Sequence, residues 1–472
     1  MIVRKHRTTP TIIMPACRPW VFHGFKYLRH SSGTAKSFKM TKGAFATPQV
    51  LPVSESSLIL NPNVPIEEEV IPGYNPKVFY PVNPGDVFHD RYKTVAKVGW
   101  GTCSTVWLAR DLNRERQADH HVVLKVNNCD FSDKESAEHE LKISQHLAAA
   151  NPSHNGYPLV RTVIDSFAVT GPDGTHICLV YEPMRESLRL FRRHFADSRF
   201  PLPLLKGYLQ MLLMGLDYLH SECQIIHTDI KLDNILVGFE DPSVIEDFVQ
   251  GQVENPMAQK IADGRSIYRS HNDFGPLRSL YILPKIADFG LAQRGDSSQL
   301  HLHPIQPDHY RAPEVVLGTG WTYSADIWNL GVLIWNLLEN KDLFTRVHSV
   351  EGKYNSQAHL AEIIALLGPP PKKLIDQERD GRTRKWGLAI ENAEGKLCDK
   401  ASTYYGGPFF DSKGEFMHKD LVPSNLHLMN SVTSLQGEEK ILFLVFVRKM
   451  LQWLPEDRKT ARELLEDPWL DV

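Results

Sequence analysis

The sequence predicts a two-lobed α+β fold, with a small β-rich N-terminal lobe ahead of a larger helical one. Strand-like apolar runs crowd residues 91–181, and helical periodicity dominates after Ser187. At 472 residues the chain is long enough for two such lobes around a cleft. Hydrophobic residues make up 42%, charged residues 23% and aromatics 10%. That composition excludes collagen-like, mucin-like and wholly disordered classes.

Met1–Ser54 contains no Asp or Glu but carries Arg4, Lys5, Arg7, Arg18, Lys26, Arg29, Lys36, Lys39 and Lys42, about +9. It is similar to a mitochondrial presequence, with a disordered basic tail or an untranslated gene-model extension as the plainer readings, and Pro10, Pro15 and Pro19 interrupt any long amphipathic helix. The rest of the chain is left with 44 Lys+Arg against 56 Asp+Glu, or −12. An acidic body is a poor nucleic-acid binder and a plausible partner for basic peptides. Residues 55–85 hold six prolines from Pro62 to Pro84 and read as an extended arm.

Residues 86–472 form the folded domain, with an N-lobe over about 86–183, a C-lobe over about 184–472 and an insertion over about 238–280. Strands are expected over Arg91–Val98, Thr105–Ala109, Val122–Val126, Val160–Phe167 and Ile177–Tyr181, with one helix, Lys134–Ala149, among them. Leu202–His220, Ala325–Glu339, Ala358–Leu367 and Lys440–Gln452 are the main helices after them. The longest apolar run, Ile441–Val447, is far below the roughly 20 residues of a spanning helix, so no membrane partner is expected. Cys17, Cys103, Cys129, Cys178, Cys223 and Cys398 form no C-x-x-C pair, which points to a reducing compartment with neither a disulfide framework nor a zinc site.

Chemistry gathers in three places. In Val98-Gly99-Trp100-Gly101-Thr102-Cys103-Ser104-Thr105-Val106, two glycines flank a tight turn between strands, and a backbone without Cβ atoms can approach a polyphosphate. An ordinary hairpin fits the same residues. A dinucleotide-binding loop does not, because a strand follows rather than a helix. Lys125 is centred in the apolar run Val122–Val126, which is costly unless the ammonium meets an anion or snorkels from an edge strand. A phosphate plus a helix carboxylate would satisfy it. Of Glu138 and Glu140, the latter lies beside apolar Leu141 and Ile143 and is the better partner.

The third place is His227-Thr228-Asp229-Ile230-Lys231-Leu232-Asp233-Asn234, set between apolar residues. Phosphoryl transfer needs a carboxylate to orient a hydroxyl, a cation for the transferred group, and amide or carboxylate ligands for a metal. Asp229, Lys231 and Asn234 supply those types at catalytic-loop spacing. Two Asp-Phe-Gly triplets compete for the second metal ligand. Asp288-Phe289-Gly290 ends an apolar strand pattern, whereas Asp273-Phe274-Gly275 follows polar residues and precedes Pro276. A metal-binding carboxylate must be held rigidly, so Asp288 is chosen and Asp273 falls within the insertion. Ala312-Pro313-Glu314, Asp326 and Arg458 follow in order. His120-His121 and His301-x-His303 sit in polar stretches and are expected to be solvated.

These residues resemble the eukaryotic protein kinases over roughly Asp86–Trp469, and within them the SR-protein (serine/arginine-rich protein) kinases, in a divergent fungal form. The glycine loop, with Cys103 in place of an aromatic, the His227-Thr228-Asp229-Ile230-Lys231 run, the lead-in Gly73-Tyr74-Asn75-Pro76 and Leu367-Gly368-Pro369-Pro370 carry the likeness. The resemblance implies a protein kinase fold and ATP with Mg²⁺ as cofactors. It implies that Lys125 grips the α- and β-phosphates and pairs with Glu140, and that Asp229 is the catalytic base. Asn234 and Asp288 would hold Mg²⁺. Tyr181 would stand behind the adenine, with Glu182 and Met184 offering backbone hydrogen bonds. Glu314–Arg458 would be a structural ion pair, with Asp326 anchoring the catalytic loop.

The same resemblance implies Ser/Thr transfer to basic Arg/Ser-rich protein substrates by a monomer in cytoplasm and nucleus, or in mitochondria if residues 1–54 act as a presequence. An inactive kinase-fold scaffold and a kinase of the wider cyclin-dependent and MAP-kinase group remain as alternatives. A small-molecule phosphotransferase shares part of the catalytic loop but lacks a counterpart of Ala312-Pro313-Glu314. Thr228 stands where many kinases carry an arginine that binds an activation-loop phosphate, and a hydroxyl cannot pair with a dianion as a guanidinium does. Between Gly290 and Tyr310 only Ser297 and Ser298 offer hydroxyls, so activity without activation-loop phosphorylation is expected.

Overall fold

The computed structural model describes residues 59–114, 120–280, 282–297 and 300–471. The acid-free segment 1–54 and Ser298 lie outside the described residues.

The N-lobe is one six-stranded sheet in the order β1-β2-β3-β4-β6-β5, antiparallel throughout. Its strands are β1 (Val87–Phe88), β2 (Tyr92–Gly101), β3 (Ser104–Asp111), β4 (His121–Asn127), β5 (Asp165–Thr170) and β6 (Thr175–Tyr181). Helix α1 (Phe131–Ala150) packs on β4 and β6. One expected strand is corrected. Val160–Ile164 does not enter this sheet. Tyr157–Leu159 is a 3₁₀ turn, Val160 bridges Ile286, and the Arg161 N–H donates to the Ile286 carbonyl at 2.8 Å. Within that run the Arg161 N–H is satisfied by the strand that leads into the second Asp-Phe-Gly triplet, whereas the Val163 N–H donates to Ser144 Oγ at 2.6 Å and the Ile164 N–H to the Val180 carbonyl at 2.8 Å.

The C-lobe is built on α2 (Leu202–Asp217), which continues as a π turn over Tyr218–Glu222. Short strands β7 (Glu186–Ser187), β8 (Ile225–Ile226) and β9 (Ile235–Val237) bracket the catalytic loop. Between β9 and the next core strand the insertion folds into α3 (Ser243–Glu254) and a hairpin of β10 (Gln259–Ala262) and β11 (Arg265–Tyr268). Strand β12 (Pro284–Ile286) then completes a sheet in the order β12-β9-β7, and β13 (Gln293–Arg294) pairs with β8. Helix α4 (Ser324–Leu338) is buried along nearly its whole length, with Trp328 and Trp335 fully inside. Beside it Arg458 clamps Glu314 with two 2.6 Å hydrogen bonds in full burial. Among the described residues no helix is long and apolar enough to cross a membrane.

The insertion leaves the C-lobe and covers the N-lobe. Ile245, Phe248 and Met257 share a core cluster with Phe88, Tyr92, Trp107 and Leu108. Residues 59–85 join the same layer as two 3₁₀ turns, Glu67–Val70 and Pro76–Val78, rather than as an extended arm. Charge explains the packing. Lys97, 1% exposed, is held by Glu68 and the Tyr268 carbonyl, and Lys260 meets Glu69 at 2.7 Å. Arg265 donates to the Pro76 and Phe79 carbonyls at 2.7 and 2.8 Å. Such ammonium and guanidinium groups stay inside only when partnered, so arm and insertion are mutually required.

Candidate active site

The β2–β3 hairpin pairs Gly99 with Val106, Trp100 with Thr105 and Gly101 with Ser104, leaving Thr102 and Cys103 at the tip. The Asn128 N–H fixes that tip by donating to the Cys103 carbonyl at 2.8 Å. A Cβ on Gly99 would meet only Val106 at 3.8 Å, and on Gly101 only the Ser104 hydroxyl at 3.4 Å. The chain's own packing does not demand glycine there, which leaves the space below the hairpin for a ligand's phosphates. Val98 lies on β2 before the turn.

Lys125 on β4 reaches Glu140 of α1 at 2.7 Å and Asp288 at 3.6 Å. Burial opposes its charge, but Glu140, Asp288 and Tyr181 outweigh that and hold its pKa well above the ordinary lysine value. Glu138 makes no such contact and is partly exposed, while Glu140 is buried. The Tyr181 hydroxyl donates to the other oxygen of Glu140 at 2.6 Å. The Lys–Glu pair is thus a three-membered network whose third member is the last residue before the hinge.

The catalytic loop hangs from one buried carboxylate. Asp326 accepts the His227 and Thr228 amides at 2.8 and 2.9 Å and the His220 ring at 2.9 Å. His227 Nδ1 accepts the Asp229 amide at 3.2 Å, so its Nε2 carries the proton and donates to the Ala287 carbonyl at 3.0 Å. Asp229 Oδ2 accepts from Lys231 and from Asn234 Nδ2, both at 2.7 Å. With its amide nitrogen committed, Asn234 turns its oxygen outward. Asp288 adopts φ 68° at the end of β12, and Phe289 packs on His227 with ring centroids 5.0 Å apart. Lys125 first, then Lys231, hold the Asp288 carboxyl below the ordinary carboxylate range.

An amide oxygen and an ionised carboxylate are hard donors of the kind a magnesium ion takes. Together with Lys125 and the hairpin, they fit a nucleoside triphosphate with a divalent cation. Asp273 is elsewhere: it caps the Gly275 amide at 2.9 Å in the insertion.

At the hinge, Met184 is half-buried and Glu182 pairs its carboxylate with Lys285. The Glu182 carbonyl accepts from Arg161 at 2.7 Å, a contact the sequence reading missed. The signal was the one that singled out Lys125, a cation within an apolar run, Leu159–Ile164.

A profile of the protein kinase domain matches residues 92–470. The chain belongs to the protein kinase family. A serine/threonine protein kinase of Aspergillus fumigatus is 38% identical over 427 residues, covering 90% of this chain and 95% of that one. The serine/threonine-protein kinase SRPK of Physarum polycephalum is 30% identical over 86% of this chain and 91% of its own length. SRSF protein kinase 3 of Mus musculus is 24% identical over 83% of this chain and 88% of its own. The crystal structure of a kinase domain superposes with a TM-score of 0.59 at 22% identity, covering 84% of this chain and 99% of that one, a likeness of fold. This kinase is a protein serine/threonine kinase of SR-protein-kinase kinship, acting on protein substrates with ATP and a divalent metal as the family does.

The histidine pairs of the kinase correct an expectation. His121 is 4% exposed. His301 stacks on Trp321 at 4.5 Å and bonds the Arg294 carbonyl, and His303 packs edge-on against the same indole at 5.0 Å. Flanking polarity suggested solvent, but a strand start buries His121, and a neighbouring tryptophan leaves His301 and His303 half-buried.

Proposed function

We propose that the kinase transfers the γ-phosphoryl group of Mg²⁺-bound ATP to Ser/Thr hydroxyls of basic, Arg/Ser-rich proteins, as a monomer active without activation-loop phosphorylation. The assembled network of Lys125, Glu140, Asp229, Asn234 and Asp288 carries the reading. When bound, ATP with its cation supplies the phosphoryl group. Asp229, with Oδ2 already held by Lys231 and Asn234, offers its other oxygen to the substrate hydroxyl and takes the proton as the new bond forms. Lys231 lies beside that carboxylate to balance negative charge at the transferring group. Lys125, oriented by Glu140, holds phosphate oxygens.

Independence from phosphorylation is supported by what holds the activation segment. Thr228 Oγ1 donates to the Leu291 carbonyl at 2.9 Å, where a phosphate-binding arginine would otherwise stand. Gln306, buried at φ 70°, donates to the Ala325 carbonyl at 3.0 Å and accepts the Ala312 amide at 2.8 Å. Arg311 donates to the Gln306 carbonyl and stacks over Tyr354 at 4.3 Å. Side chains thus supply ties that a phosphate supplies elsewhere.

Basic substrates are supported by the acidic body and by the named specificity of the SRSF kinase relative. The test is radiolabelled transfer to two basic proteins, one Arg-Ser-rich and one without Arg-Ser repeats, with Asp229→Ala as control. Transfer favouring the first and lost in the variant is expected. Equal transfer to both would remove the substrate assignment, and transfer surviving in Asp229→Ala would remove the mechanism.

A further inference from the structure

Arg161 reaches the hinge carbonyl that, by the family resemblance, meets the base of the nucleotide, and this inference rests on the kinase reading above. Its backbone is tied to Ile286, two residues before Asp288. The guanidinium lies over the Tyr181 ring at 4.5 Å. Nη2 donates to the Glu182 carbonyl at 2.7 Å, and Nε is buried with no hydrogen-bond partner. Burial pulls its pKa below the ordinary guanidinium value, while Tyr181, Glu182, Glu140 and Asp288 support its charge.

By the family resemblance, the Glu182 carbonyl is the acceptor for the exocyclic amine of adenine. Here that acceptor is already engaged by a charged donor. A carbonyl can accept a second hydrogen bond, but the adenine amine would then lie beside a guanidinium N–H, donor against donor. A 6-oxopurine presents the opposite pattern. Its O6 and N7 are both acceptors, and arginine is the side chain that pairs with them best. Nη2, already at the Glu182 carbonyl, is the donor nearest that edge.

We propose that Arg161 is a base-reading residue that adapts this pocket to 6-oxopurine nucleoside triphosphates, so that the kinase binds and uses GTP and ITP alongside ATP. The transfer itself is unchanged: the bond from the γ-phosphorus to the β-bridging oxygen breaks as the substrate oxygen attacks, its proton passes to Asp229, and GDP or IDP leaves.

The experiment is competitive displacement of a fluorescent nucleotide from the full-length kinase by ATP, GTP and ITP with Mg²⁺, for the wild type, Arg161→Val and Arg161→Gln. Binding is read without catalysis, so a failure of phosphoryl transfer is registered separately, in the parallel transfer assay. Wild-type affinities for GTP and ITP within about tenfold of that for ATP are expected, and loss of Arg161 is expected to shift the ratio toward ATP by about tenfold or more, the scale of one hydrogen bond from a charged donor. ITP lacks the 2-amino group, so its agreement with GTP assigns the effect to the 6-position. A wild type preferring ATP by more than tenfold over both overturns the proposal. So does a ratio that neither substitution moves by threefold. The wild-type ratio decides even where a variant fails to fold, and an altered ratio is not an effect that general destabilisation produces.

Discussion

The kinase contains the same tripeptide twice, fifteen residues apart, and the two copies do different work. Asp288-Phe289-Gly290 follows β12, which is hydrogen-bonded to β9 on the far side of the catalytic loop. Its Asp faces Lys125 at 3.6 Å, and its Phe is 2% exposed against His227. Asp273-Phe274-Gly275 lies in the insertion. Its Asp caps its own turn, and its Phe packs on Phe239 and Phe248 at 4.8 and 4.5 Å, in the layer that covers the N-lobe. Identical side chains therefore face the lysine and the catalytic loop in one place and form a staple in the other. What decides is whether a strand end fixes the carboxylate where opposite charge converges.

The comparison breaks if the two aspartates are functionally alike. Asp288→Ala is expected to lower the transfer rate about a thousandfold, as loss of a preorganised charge-stabilising group does, and Asp273→Ala to leave it within about twofold. Steady-state kinetics of both variants on one substrate decides. The phenylalanines sharpen it. Phe289→Ala empties a fully packed site and is expected to cost about 3–5 kcal/mol in urea unfolding, whereas the partly exposed Phe274 is expected to cost about 1–2 kcal/mol.

The arm's role in the covering layer is tested at a charge contact it makes with β2. Glu68→Gln leaves Lys97 buried beside a neutral amide, with Glu67 at 3.8 Å as its remaining carboxylate. A loss of about 3 kcal/mol is expected, and double substitution with Lys97→Met should recover part of it. A double variant no more stable than Glu68→Gln would show that the arm is not held to the N-lobe sheet through this pair.

The smallest effect is one of pH. His121 is buried beside α3; burial first, then His120 and Arg110, pushes its pKa down to about 4, and Glu246, 3.5 Å away and open to solvent, does not reverse this. The unfolded chain takes up a proton near pH 6.5 that the folded chain refuses. Stability is therefore expected to fall as pH drops from about 6.5 toward 4, by at most about 3 kcal/mol, and His121→Phe to flatten that slope. An unchanged slope would place the titrating group elsewhere.

Much of the fold was legible because period-2 and period-3.6 patterns are local. The strands around Lys125 and the helices Leu202–Asp217 and Ser324–Leu338 fall close to their expected bounds. The catalytic loop and Asp288 were legible because charged residues set in apolar runs need partners, and few partners exist. What was not legible is long-range. Nothing near Glu68 in sequence announces Lys97, and nothing near Arg265 announces the Pro76 and Phe79 carbonyls. Arg161 was hidden for the opposite reason: its apolar neighbours read as a strand, although its own N–H bonds to the Ile286 carbonyl.

The central claim is that this active site is assembled by its own side chains. The most direct measurement is transfer of radiolabelled phosphate from ATP by the purified kinase before and after exhaustive phosphatase treatment, with Asp229→Ala alongside. An undiminished rate after treatment, and none in the variant, is the predicted result. A rate that collapses on treatment and returns on rephosphorylation of the segment holding Ser297 and Ser298 would contradict it.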